Sequence, residues 1–96
     1  MQHLSVAGES LLIGDEVADC LVRYAAHLGR TGGADDVAVR ALGVDGEEVR
    51  LHLLLNAGVT LVAESTESLL PEPDNAEALA SMRTRISAFE LPDQDF

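Results

Sequence analysis

Val37-Ala38-Val39-Arg40-Ala41-Leu42-Gly43-Val44-Asp45-Gly46-Glu47-Glu48-Val49-Arg50-Leu51-His52-Leu53-Leu54-Leu55 is the stretch on which the fold turns. On both sides of its glycine-bearing centre, apolar residues recur at every second position, the period of a strand with one face on a core. Val37, Val39 and Ala41 form one apolar set. Val49, Leu51, Leu53 and Leu55 form the other, with Arg50, His52 and Leu54 between them. A two-residue Asp45-Gly46 turn would set Ala41 against Arg50 and Val39 against His52, mismatching the apolar faces. A three-residue loop, Val44-Asp45-Gly46, sets Ala41 against Val49, Val39 against Leu51 and Val37 against Leu53. This register requires Gly46 in the left-handed position of a bulge, where glycine is the natural residue.

Working outward, Leu4 and Val6, then Ser10 to Ile13, read as two short strands joined by a turn at Ala7-Gly8-Glu9. Val17, Leu21, Tyr24 and Leu28 fall at helical spacing with Ala18 and Ala25 beside them, predicting a helix from Asp15 to Leu28. Asp15 is the expected N-cap, Asp19 and Arg23 an i,i+4 pair, and Gly29 the residue that closes the helix. After the long hairpin, Asn56-Ala57-Gly58 offers a second turn. Val59, Leu61 and Ala63 then suggest a third strand continuing an antiparallel meander. Asp74 with Glu77 resembles a capping box, and Leu79, Met82, Ile86 and Phe89 mark one face of a second helix ending near Glu90. The expected fold is a single α+β domain over residues 1–91, in the order β-β-α-β-β-β-α. Its antiparallel sheet carries two helices packed on one face, and residues 92–96 form a short flexible tail.

Composition bounds the function. The chain has 96 residues, is 47% hydrophobic and only 3% aromatic, and carries a formal net charge of −11. Aliphatic side chains must therefore build the core, and one domain is the expected number. No apolar run approaches the ~20 residues of a membrane span, and the start of the chain lacks an export-signal pattern. Cytoplasmic location is the expectation, and the one cysteine, Cys20, has no second cysteine to pair with. All six basic residues are arginines. That balance disfavours direct nucleic-acid binding, which draws on phosphate contacts from many Lys and Arg, and favours a basic protein partner. Solubility alone is the competing explanation for the acidity.

Candidates for chemistry are sparse. Cys20 and His27 lie seven positions apart on the first predicted helix, a rise of ~10 Å, beyond the reach of direct proton transfer. Gly29-Arg30-Thr31-Gly32-Gly33 leaves a helix C-terminus, whereas phosphate-cradling loops lead into a helix N-terminus. Asp35-Asp36, Asp45 and Glu47-Glu48 lack calcium-loop spacing and have no His or Cys at zinc-ligand spacing. No cofactor and no metal are expected, and no catalytic residue is assigned. Arg50, His52, Leu54 and Val62 would form a partly apolar open sheet face.

The strongest functional signal lies between Glu64 and Glu77. Glu64, Glu67, Glu72, Asp74 and Glu77 gather there with no basic residue between Arg50 and Arg83. Leu69-Leu70-Pro71 sits amid them, with Pro71 and Pro73 stiffening the backbone. Leu69 and Leu70 either fold back onto the chain's own core or stand out as an anchor. The leading expectation is a noncatalytic protein-binding module of the inhibitor, antitoxin, immunity-type or nucleic-acid-mimic class. It would bind a basic partner through Glu64, Glu67, Leu69, Leu70, Glu72 and Asp74. The alternatives are a structural subunit, including a homodimer, assembling through its open sheet face or edge strand, and a ligand-binding domain or enzyme without a recognisable motif.

Overall fold

The computed structural model describes residues 1–90. Its elements run β1 (Gln2–Val6), β2 (Glu9–Ile13), α1 (Asp15–Thr31), β3 (Ala34–Leu42), β4 (Glu48–Asn56), β5 (Leu61–Ser65) and α2 (Ala76–Phe89). This is the α+β order read from the sequence, with five antiparallel strands and two helices. The expected C-terminal tail lies outside the described residues.

The β3–β4 hairpin adopts the register that apolar matching required: Ala41 pairs with Val49, Val39 with Leu51 and Val37 with Leu53. Gly46 stands at φ +81°, and its N–H donates to the Gly43 carbonyl while the Gly43 N–H donates to Glu47. Those bonds close the three-residue loop with its left-handed glycine. At the β1–β2 turn, Ala7 and Gly8 both take positive φ, 50° and 81°. This is the pair of left-handed residues that a two-residue hairpin turn demands.

Strand order is where the sequence reading fails. The sheet runs β4-β3-β2-β1-β5, so β5 does not continue a meander beside β4. It crosses to the far side and pairs with β1, Val6 opposite Leu61 and Gln2 opposite Ser65. In a flat sheet the outer strands of such an order would lie ~19 Å apart sideways. The short link from Asn56 to Leu61 spans at most ~17 Å fully extended, and it begins with a turn in which the Val59 N–H donates to Asn56. The sheet must therefore curl. It does so at the β2–β3 junction, where Leu12↔Leu42 is the one paired position. The β3–β4 ribbon is thereby joined to the β2-β1-β5 unit by a single rung, and strands of both lie against α1.

Helix α1 packs against β1, β3, β4 and β5, whereas α2 packs on α1 and β3. Between them Leu4, Ile13, Leu21, Leu55 and Met82 are almost completely buried, each burial worth ~1.5–3 kcal/mol of transfer free energy. Val17, Leu21, Tyr24 and Leu28 form the buried stripe of α1, as their spacing indicated. The ends of α1 differ from expectation. Gly14 is the N-cap and Asp15 lies in the first turn. At the other end the helix runs through Gly29 to Thr31, and Gly32, at φ 68°, is the left-handed cap. Thr31 supports this last turn by donating its hydroxyl to the His27 and Leu28 carbonyls. Arg23 pairs with Glu90, the C-cap of α2, rather than with Asp19, which instead accepts a bond from Gln2. Helix α2 begins at Ala76, and Asp74 accepts the Ala76 N–H at 3.0 Å.

Candidate functional site

The segment from Glu64 to Asp74 is held at both ends and by its own hydroxyls. Glu64 belongs to β5, opposite His3 of β1. Thr66 Oγ1 accepts the Ser68 N–H at 2.8 Å and Ser68 Oγ accepts the Leu70 N–H at 3.2 Å, so serine and threonine shape the turn. Pro73 is buried.

Asn75 then fastens the far end to the sheet. Its side chain accepts the Arg40 N–H at 2.7 Å and donates to the Arg40 carbonyl at 2.8 Å, while only 8% of the residue is exposed. A carboxamide thus stands in for a neighbouring strand's peptide group at the β3 edge that β2 has left. Nothing in the sequence singles Asn75 out, because an Asn before a helix reads as an ordinary cap, and here it makes no side-chain cap bond.

On this frame all six expected contact residues, Glu64, Glu67, Leu69, Leu70, Glu72 and Asp74, are exposed. Leu69 is 99% exposed and Leu70 47%, so Leu69 stands clear of the core while Leu70 is half covered. Two of the acids also serve the fold. Asp74 holds Ala76, and the Glu72 carboxylate lies over Gly14, so close that a Cβ there would meet Oε2 at 2.9 Å. A negative charge at that place faces the positive end of the α1 dipole.

The other candidates find structural partners. Asp35 accepts the Tyr24 hydroxyl and Arg85, tying α1, β3 and α2 to one carboxylate. Burial, followed by the bond to Asp35, raises the Tyr24 pKa. Asp36 bonds His52 Nε2 at 2.7 Å across the β3–β4 ribbon, and this bond holds its carboxyl below the usual range. Asp45 accepts the Glu47 N–H within its turn. Among the described residues no three His, Cys, Asp or Glu converge to hold a metal ion. His27 stacks on Phe89, centroids 5.3 Å apart. Cys20 is buried at the floor of a cleft between α1 and α2, bridged by Glu16–Arg83 and Arg23–Glu90, and burial raises its pKa. A protonated, enclosed thiol is a poor nucleophile.

A second feature escaped the sequence reading. Arg40 and Arg50 face each other across the ribbon and line a groove of about 440 Å³ between β3 and α2. The hairpin register already implied that opposition.

Comparison with protein families, curated proteins and solved structures finds no match to the chain. No helix among the described residues is long and apolar enough to cross a membrane.

Proposed function

We propose that this chain is a noncatalytic protein-binding module that presents its acidic 64–74 segment to a basic partner, in the manner of an inhibitor, antitoxin, immunity-type protein or nucleic-acid mimic. The observation that carries the reading is Leu69, 99% exposed on a loop whose other exposed residues include Glu67 and Glu72. An apolar side chain so placed adds nothing to this chain's own core, yet gains ~1.5–3 kcal/mol when a partner buries it. The surrounding carboxylates steer the encounter with a basic surface, and the bonds within the loop reduce the ordering cost of binding.

The test replaces Leu69 with a photo-crosslinking residue and captures partners from lysate at low and high salt. Expected is one basic protein, crosslinked through position 69, released by salt, and lost when Glu67 and Glu72 are reversed to Lys in the same chain. Capture of nothing at position 69, or of proteins indifferent to both salt and charge reversal, would discard the reading.

One observation favours the second reading, self-assembly. Strand β4 is an outer strand of nine residues whose Leu54 is 58% exposed, and an unpaired edge of that length can template pairing with another copy. Light scattering across a concentration series separates the two, a constant monomer mass excluding assembly.

A further inference from the structure

The β3 edge facing α2 is open beside Asn75. Because Arg40 turns both its backbone groups toward Asn75, the strand's alternation turns those of Ala38 the same way. At Asp36 the N–H is taken by the Asp35 carboxylate, 2.8 Å away. Ala38 is exposed, and its N–H and carbonyl front the groove between β3 and α2, whose far wall includes Ala78, Ser81, Met82 and Arg85. The groove's volume, about 440 Å³, falls within the range of ligand-holding clefts.

The lining holds three arginines, Arg40, Arg50 and Arg85, against three acids, Asp36, Asp74 and Glu77, and is formally neutral on a chain of net charge −11. Three of the six arginines are paired, Arg23 with Glu90, Arg83 with Glu16 and Arg85 with Asp35. Arg40 and Arg50 have no carboxylate within 4.0 Å among the described residues, although the chain holds 17 acids. They sit directly opposite each other, an arrangement that costs stability when the charges are alike. Of the acids lining the groove, Asp36 is bonded to His52 and Asp74 to the Ala76 N–H. Glu77 lies in the first turn of α2, where the helix dipole favours it.

We propose that this groove takes an extended peptide segment of a partner protein, which adds a short strand to the β3 edge at Ala38 and sets an acidic side chain against Arg40 and Arg50. Backbone pairing at Ala38 supplies affinity independent of side chains, and the two guanidinium groups select a carboxylate. The Asn75 carboxamide already makes at Arg40 the two-way bond that the incoming strand makes at Ala38. Leu69 and Leu70 do not line this groove, although Asp74 at the end of the acidic segment does, and the proposal stands whether or not Leu69 anchors a basic protein.

The experiment pans the full chain against a display library of random ten-residue peptides. An enriched sequence, made as a fluorescent peptide, is then titrated onto the protein and its variants. Expected are enriched peptides bearing Asp or Glu among β-prone residues. Their affinity should fall about tenfold or more in Arg40→Glu/Arg50→Glu, which sets like charge against the peptide's carboxylate, and similarly in Ala38→Pro. It should stay unchanged in Leu69→Ala/Leu70→Ala. Ala38→Pro removes a donor that points away from β4, a place where a strand accepts proline. Should that variant not fold, hydrogen exchange replaces it: peptide binding should protect the Ala38 amide. Enrichment without acidic residues, binding that survives both Ala38→Pro and the arginine reversal, an Ala38 amide left unprotected, or binding of inorganic phosphate with no peptide binding would each overturn the proposal.

Discussion

Replacing Asn75 with alanine removes two hydrogen bonds to the Arg40 backbone, 2.7 and 2.8 Å long, at a residue only 8% exposed. Each such bond contributes ~1 kcal/mol net, so their loss costs about 2 kcal/mol. Because Asn75 makes no side-chain bond to its own helix, no capping contribution is lost along with them. For a domain of this size ~1 kcal/mol shifts the melting temperature by about 5 °C, and Asn75→Ala should therefore melt roughly 10 °C below the parent. Thermal unfolding followed by circular dichroism, paired with urea midpoints, measures this directly. Asp74→Ala is the internal comparison: it loses one exposed bond, to Ala76, and should fall by about half as much or less. Asn75→Asp keeps the acceptor for the Arg40 N–H but sets a carboxylate oxygen against the Arg40 carbonyl, so it should be destabilised at neutral pH. If Asn75→Ala melted within ~3 °C of the parent, the idea that this carboxamide secures the β3 edge would be wrong.

Three further outcomes follow from the geometry. Gly46→Ala, at φ +81°, should destabilise by about 1–2 kcal/mol in urea unfolding, since an L-residue is strained there, and an unchanged midpoint would contradict the bulged turn. Leu69→Ala should leave stability within ~0.5 kcal/mol of the parent, as expected at a 99% exposed position, whereas a loss typical of core residues would place Leu69 inside. The Asp36 carboxyl, held below its ordinary value by His52, should titrate in carbon NMR at lower pH than in His52→Ala. Its folded pKa is depressed, so its contribution to stability is present above the ordinary aspartate range and is lost as pH falls through the lowered value. Equal titration in the two proteins would show the bond to be idle in solution.

What could be read in advance was whatever local periodicity decides. The β3–β4 register was legible because only a three-residue loop aligns Val37, Val39 and Ala41 with Leu53, Leu51 and Val49. The α1 stripe was legible for the same reason. Its ends were less so: Gly29 and Gly32 can both close a helix, and the end at Gly32 is secured by the Gly33 N–H on the Leu28 carbonyl and by the Thr31 hydroxyl. The placement of β5 was not legible. Leu61 and Ala63 present the same alternation to β1 as they would to β4, and only the curl at Leu12↔Leu42 decides between them. In the 64–74 segment the acids could be found by composition. The exposure of Leu69 could not, since it depends on how Pro73 and Asn75 pin the loop.

The pairing of β1 with β5 joins the second residue of the chain to the sixty-fifth, and it bears on the order in which the molecule assembles. The β1–β2 hairpin and the β3–β4 ribbon are local in sequence and close on the microsecond scale of short-range contacts. The last rung needs the whole intervening chain brought round, and the entropy of closing so long a loop is lost before the contact returns anything. In a chain growing from its N-terminus, β1 meets β2 at once and waits for β5. Of the five strands described, the first to be made is the last to gain both its neighbours.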